Sequence, residues 1–445
     1  MLQREPPARA KRPAGASAGS PGQVIAATPS AQPGASLTAE LPEATPVVVD
    51  VHLRSGVAGL RAFGKAALDP AALGRTWGDP GLWSRYAADR AVVPGSASRR
   101  RFADGLGRLA GASGRVAPYP GSEPTIDLIL AAAKTTPHVV APFPDAATRI
   151  LRHKSNLAAL AGEAGIAVPR TWVVATAAEL RTARISFPCA VKSNEPVGSL
   201  SSTRILQSTE ALHQLLDRLP SDEPLVVQEH LEGPLTCLGM VVDRAGAVVS
   251  RFQHLAYSTW PAEAGATARA VSVAPDHDLV VRAARLASAA GYWGLVQLDF
   301  LPGPDGYALV DANPRYYAAL ALATECGVNL PAAWHQVVVG APTAAPGPYR
   351  VGVGYRWLEA DVVAALRGRP GRLLHRAEGP TTGAMWDGED PVPATLLAAL
   401  AVASRPAKRV SSLLEGRTRR AASPVPDAEQ PRAPRLRPLL EHGER

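Results

Sequence analysis

The chain has 445 residues, 46% hydrophobic and 19% charged, which is enough for two or three domains with a large core and too long for a small stapled scaffold. Its three cysteines, Cys189, Cys237 and Cys326, are too few and too widely spaced for a disulfide framework or a paired-cysteine metal site, and this fits a reducing, cytoplasmic setting. The formal charge is +8, but ten Lys/Arg against five Asp/Glu fall in residues 405–445 and four against three in residues 1–45, so the basicity belongs mainly to the tails and argues against a nucleic-acid groove.

Residues 1–45 are Ala, Pro, Gly and Ser without an aromatic residue, a composition that predicts disorder. No apolar run reaches the roughly eighteen residues of a membrane span, and none near the start has the form of a secretion signal. From Pro46 the run Val47, Val48, Val49 and Val51 reads as a buried strand, followed by a helical pattern over 56–65. Further alternation through 84–93, 102–109 and 126–133 gives a small α/β domain over 46–148.

The next domain spans 149–345. A helix over 153–164 places Leu157, Leu160, Ala161 and Ala164 on one face, with Gly165 at the position of a C-terminal cap. Residues 168–174 read as extended, and strands are predicted at 189–192 and 225–229. Between them Ser208 starts a helix carrying Leu212, Leu215, Leu216 and Leu219 before Pro220. A helix over 276–290, closed by Gly291, leads into two strands. A Pro/Gly-rich bridge at 341–348 then opens a C-terminal extension over 346–404, with helices near 361–366 and 394–403, read as a packing or homodimer element. Residues 405–445 form a basic, disordered tail.

The chemistry concentrates where Trp293-Gly-Leu-Val-Gln-Leu-Asp-Phe300 and Tyr307-Ala-Leu-Val-Asp-Ala-Asn-Pro-Arg315 flank a Pro-Gly-Pro-Asp-Gly turn, the sequence of a hairpin. With the turn centred on Asp305, Asp299 faces Asp311 and Gln297 faces Asn313, all four on one side of the sheet. Two opposed carboxylates call for a cation between them, and Asp, Asp and Asn offer hard oxygen ligands suited to magnesium or manganese. A solvent-facing strand edge is the plainer alternative. Lys154 opens a helix. Lys192 ends the apolar run Pro188-Cys-Ala-Val191 ahead of a loop over 193–203 with Gly198 and four serines, a setting in which a lysine and backbone N–H groups can hold phosphate oxygens. Either lysine alone also reads as a surface residue. His254 is a candidate base or a structural residue of a strand, and Cys189 reads as core.

Taken in order, these pieces resemble the ATP-grasp superfamily of carboxylate ligases over residues 46–345. The matching stretches are His153-Lys-Ser-Asn-Leu157 leading to Gly165-Ile-Ala-Val-Pro169, Ala190-Val-Lys192, the hinge Val226-Val-Gln-Glu-His-Leu-Glu-Gly233, Thr259-Trp-Pro261, Gly265 to Arg269, Leu298-Asp-Phe300, and Asp311-Ala-Asn-Pro-Arg315. Upstream, Ser84-Arg-Tyr86 and the run to Pro94 are similar to the small α/β domain that precedes the fold in the carbamoyl-phosphate-synthetase-like and D-aspartate-ligase-like branch. The resemblance implies an α/β and α+β architecture, two α+β subdomains clasping ATP behind a small α/β pre-ATP-grasp domain. It implies that Lys154 and Lys192 bind phosphates and that the hinge residues Gln228, Glu229, His230, Leu231 and Glu232 take adenine and ribose. Asp299, Asp311 and Asn313 would hold magnesium or manganese, while Arg315 and Arg269 would steady phosphoryl and acyl oxygens. The family usually has the longer Glu at the position of Asp311.

The activity implied is that of an ATP-dependent, ADP-forming ligase that makes a carbon–nitrogen bond, activating a small-molecule carboxylate as an acyl phosphate and passing it to an amine. A carboxylation or carbamoyl-type enzyme and a nucleotide-binding protein without turnover are the alternatives. Trp260, Arg269, Tyr316 and Tyr317 are candidate acceptor contacts, the two tyrosines equally readable as core aromatics.

Overall fold

A computed structural model describes residues 43–194, 197–200, 202–262, 264–303, 306–366, 371–374 and 379–403. The disorder expected of residues 1–45 therefore falls, save for its last three residues, outside the described residues, as does the basic tail at 405–445. The first elements are β1 (Thr45–Val49), α1 (Arg54–Lys65), β2 (Ala71–Gly74), β3 (Asp89–Val92), α2 (Arg99–Gly107), β4 (Val116–Tyr119), α3 (Glu123–Thr135) and α4 (Asp145–Arg152). The strands are parallel in the order β3-β2-β1-β4. Parallel strands need crossovers that cover both faces, which is why the valines of β1 are buried without alternation.

A second sheet follows, built from α5 (Leu157–Ala164), β5 (Thr171–Val174), α6 (Ala177–Leu180), β6 (Cys189–Ser193), β7 (Arg204–Leu206), α7 (Thr209–Leu216) and β8 (Leu225–Glu229). The four residues expected on one face of α5 are all buried, and Gly165 ends the helix at φ +69°, a left-handed conformation that a side chain would strain. The Ser208 hydroxyl accepts the Ala211 N–H at 3.3 Å, capping α7. The strands are antiparallel in the order β5-β8-β6-β7 and enclose a core of their own, with Cys189, Val191, Leu212, Leu216 and Val227.

The third part contains β9 (Leu235–Val242), β10 (Val248–Trp260), β11 (Ala266–Ser272), α8 (His277–Ala289), β12 (Gly294–Gly303), β13 (Gly306–Asn313), α9 (Leu320–Glu325), α10 (Leu330–Val339), β14 (Gly354–Arg356), α11 (Leu358–Leu366), α12 (Gly371–Leu374), β15 (Thr381–Gly383) and α13 (Val392–Ala403). Seven strands lie in the order β13-β12-β9-β10-β11-β14-β15. The segment after residue 345, expected to be partly helical, thus also adds two strands to the sheet edge. One apolar core runs from Val47 of β1 through Tyr119, Tyr316 and Trp334 to Tyr355 of β14, so the first and third sheets share an interior that the second does not. No helix among the described residues is long and apolar enough to cross a membrane.

Two buried histidines give this core a pH signature. His335 shares a hydrogen bond with the Tyr119 hydroxyl at 2.7 Å, and burial pushes it down to about 4. His254 on β10 is fully enclosed between the rings of Phe252 and Tyr317, each 5.9 Å away, and burial pushes it down to about 3. Below the ordinary value of 6.5 the unfolded chain takes up protons at these rings that the folded chain refuses. Their effect is absent above that pH, and below it stability falls by about 1.4 kcal/mol per pH unit for each ring. Urea unfolding of His254→Leu between pH 6.5 and 5 is expected to lose one proton's worth of that slope; an unchanged slope means His254 is charged in the native state.

Candidate functional site

The hairpin of β12 and β13 carries the expected pairs, Gln297 opposite Asn313 and Asp299 opposite Asp311. Toward the turn the pairing is shifted by one, Phe300 to Leu309 and Gly303 to Gly306, and a bulge at Val310 absorbs the extra residue. The bulge also has a partner on the second sheet: the Val310 carbonyl accepts Lys192 Nζ at 2.7 Å.

Lys192 is buried at the end of β6, and its second acceptor is Gln228 Oε1 at 2.9 Å, across the strand pair on β8. Burial pushes its ammonium down to about 8, with Asp311 opposing and Lys154 adding to the shift. Lys154 sits in a 3₁₀ turn ahead of α5 and pairs with Asp311 Oδ1 at 3.2 Å. Asn194, directly after β6, ties that turn in place, its side-chain oxygen accepting the Ser155 N–H at 2.9 Å. Both lysines expected at phosphates therefore reach the hairpin from separate elements.

Gln297 and Asn313 each donate an amide N–H to Asp299, the second at 3.3 Å. Burial pushes the Asp299 carboxyl up to about 7, a hydrogen bond from the Cys237 thiol works against this, and the charge of Asp311 adds to it. Asp311 is held below the usual carboxylate range: burial opposes its charge, but Lys154 and Lys192 outweigh it. Among the described residues no three His, Cys, Asp or Glu side chains converge as a metal site. The hairpin instead offers two directly opposed carboxylates and the amide oxygen of Asn313, an all-oxygen donor set that fits magnesium or manganese better than zinc.

Arg315 joins this cluster from the end of the hairpin, its Nη2 donating to Asn313 Oδ1 at 2.7 Å. Its Nε donates to Glu123 Oε1 at 2.7 Å, and the other oxygen of Glu123 accepts Arg152 Nε at 2.7 Å. One carboxylate at the start of α3 thus orients the arginine expected at the acyl or phosphoryl oxygens. The structure places Arg269 elsewhere. It lies on β11, three strand spacings or roughly 14 Å from β12. There its Nη2 pairs with the buried Asp361 at 2.8 Å, beside Arg356, which pairs with the same oxygen at 2.7 Å.

The hinge runs from β8 of the second sheet to β9 of the third. Gln228 is buried, while Glu229, which binds the Arg170 N–H at 2.9 Å, and His230 and Leu231 are half-buried and Glu232 is exposed. The described part of the loop after β6 is pinned rather than loose. Glu223 accepts from Ser193 Oγ at 2.6 Å and from the Ser199 N–H and Oγ at 2.9 and 2.7 Å. A Cβ at Gly198 would stand 2.3 Å from the Ser193 side chain, so the turn closes only around a glycine. His254 is too deeply enclosed for a base, and Tyr316 and Tyr317 are core aromatics. Sequence reasoning missed Glu123, Arg152 and the Val310 carbonyl. An acid at a helix start gives no sign of a partner 192 residues away, and a bulge leaves no residue signature here.

The family described as "ATP-grasp in the biosynthetic pathway with Ter operon" matches residues 221–360. No curated protein matches the chain in sequence. Among solved structures it is similar to the biotin carboxylase–β-γ-ATP complex of Campylobacter jejuni, with TM-score 0.55 and 15% identity over 70% of this chain and 74% of that one. It is similar to the ADP complex of the N5-carboxyaminoimidazole ribonucleotide synthetase purK, with TM-score 0.55 and 12% identity over 77% and 91%. It is also similar to the L-amino acid ligase of Bacillus licheniformis, with TM-score 0.51 and 12% identity over 67% and 74%. The chain has the ATP-grasp fold.

Proposed function

We propose that this chain is an ATP-dependent carboxylate–amine ligase. The observation that carries the reading is the convergence of Lys154, Lys192 and Arg315 on the hairpin face of Asp299, Asp311 and Asn313. Moving a phosphoryl group is mainly a matter of position and charge neutralisation, which such a set supplies without a protein nucleophile. Lys192 exchanges the Val310 carbonyl for a phosphate oxygen, and Lys154 turns from Asp311 toward the nucleotide. The hinge backbone from Gln228 to Leu231, with Glu229 and Glu232, takes the base and ribose. Asp299, Asp311 and Asn313 hold magnesium or manganese, which when bound supplies positive charge to the phosphate oxygens.

In the first step a carboxylate oxygen bonds to the γ-phosphorus as the bond to ADP breaks, giving an acyl phosphate. In the second an amine nitrogen attacks the acyl carbon, the bond to phosphate breaks, and the amine's proton passes to solvent. Arg315, fixed by Glu123, steadies the oxygens that gain charge in both steps. Arg269, committed to Asp361, takes no part in this reading.

The first test is thermal unfolding with a non-hydrolysable ATP analogue, with and without magnesium. Analogue at about 100 times its dissociation constant is expected to stabilise the chain by roughly 2.7 kcal/mol, and only with magnesium. ADP release with a carboxylate and an amine together is then expected to exceed release with either alone. ADP release with bicarbonate and no amine would replace the ligase by a carboxylating enzyme, and the absence of any shift at millimolar analogue would overturn the nucleotide site.

A further inference from the structure

A cleft of about 470 Å³ lies beside the hairpin cluster, lined in part by Arg99, Asp127, Lys134, Arg149, Arg152 and Val197. That volume suits a small molecule, but the lining is polar and, among the described residues, carries four Arg/Lys against one acid. Arg152 is buried and donates to Asp127 at 2.8 and 3.1 Å as well as to Glu123. Lys134 and Arg149 pair with Asp145 at 2.5 and 2.6 Å, with side chains 62% and 50% exposed. Exposed pairs of that kind contribute about 0–1 kcal/mol each, so both cations can turn to a ligand at little cost. Arg99 is exposed on the first turn of α2 and makes no ion pair among the described residues.

The cleft is also connected to the hairpin. Glu123, Asp127, Ala131 and Lys134 follow one another along a single stripe of α3. The stripe starts at Arg315, which Glu123 holds, and ends at Lys134 in the cleft. Clefts whose lining carries an excess of one sign of charge concentrate the opposite sign, and arginines grip planar and tetrahedral oxyanions through paired N–H groups. We propose that this cleft binds the oxyanion group of a small molecule, a carboxylate or a phosphate, whose other end lies along α3 toward Arg315. Assigning that molecule as a substrate rests on the ligase reading; the anion site itself does not.

The test titrates the full chain, saturated with magnesium and the non-hydrolysable ATP analogue, with inorganic phosphate and separately with succinate. A saturable thermal shift with either is expected, phosphate alone assigning a phosphate-bearing ligand and succinate alone a carboxylate. The double variant Arg99→Gln/Lys134→Gln is expected to weaken that response by roughly tenfold or more while responding to the analogue as the parent does. Should the pair fail to fold, Arg99→Gln alone, on an exposed helix turn, is measured and the same loss of response expected. No saturable shift in the parent, or an unchanged one in the variants, overturns the cleft as an anion site. Loss of the analogue response with the anion response intact, measured without nucleotide, overturns the ligase reading and leaves the cleft standing.

Discussion

Asp390→Ala is expected to destabilise the fold by roughly 3–5 kcal/mol, the range for removing one partner of a buried ion pair. Arg61 of α1 is almost wholly enclosed, with Nε 2.9 Å from Asp390 Oδ2, Nη2 2.7 Å from the Asp390 carbonyl and Nη1 2.9 Å from the Met385 carbonyl. The same carboxylate accepts the Ser84 hydroxyl at 2.8 Å and the Arg85 N–H at 2.9 Å. Truncation therefore leaves a buried guanidinium without its counterion and strands two further donors. Asp387 lies 3.9 Å from Arg61 Nε and offsets a little of the loss, which favours the lower end of the range. Urea unfolding measures it. Asp390→Asn, which keeps an acceptor, is expected to lose less than Asp390→Ala; equal stability of parent and both variants would mean that the segment after β15 is not anchored through this residue.

The hairpin shows how much of the site was legible and on what terms. Its sequence pattern located the turn and the two acids. Taking Asp305 as the centre matched Asp299 to Asp311, although the pairs nearer the turn follow a register one residue shorter. The agreement arises because the bulge at Val310 restores the offset. Local signals carried well elsewhere: the caps at Ser208 and Gly165 and the apolar stripe of α5 depend only on neighbours in sequence. What depends on distant pairing left no such trace. The strands after residue 345 are short, β14 finding its partner at β11 and β15 at β14, and Glu123 meets Arg315 only once the first and third sheets share a core. Arg269 is a further case. A resemblance in chain order placed it at the oxygens of the reaction, and the structure pairs it with a buried Asp361 shared with Arg356, a contact between distant elements that chain order does not reveal.

The largest expected effect on binding is at Asp311 and Asp299. Asp311→Asn is expected to lower magnesium-dependent affinity for the ATP analogue by roughly a hundredfold, the upper end of what even supporting groups around a metal contribute. Stability should barely change, because the pair it breaks with Lys154 is partly exposed on both sides, 23% and 31%, and worth about 0–1 kcal/mol. Asp299→Asn is expected to lose affinity to the same degree and to raise the melting temperature of the free chain. The free chain keeps a half-buried carboxylate directly opposite another one, with amide and thiol donors and the charge of Arg315 offsetting only part of the conflict, and removing that charge relieves it. Binding lost while stability is gained is the mark of a group retained for its ligand rather than for the fold. Isothermal titration with the analogue at fixed magnesium, paired with melting curves of the free variants, separates the two. If both variants bind as the parent does, the cation assignment is wrong. If Asp299→Asn melts lower than the parent, Asp299 is a structural acid, and its hydrogen bonds to Gln297 and Asn313 serve the hairpin itself.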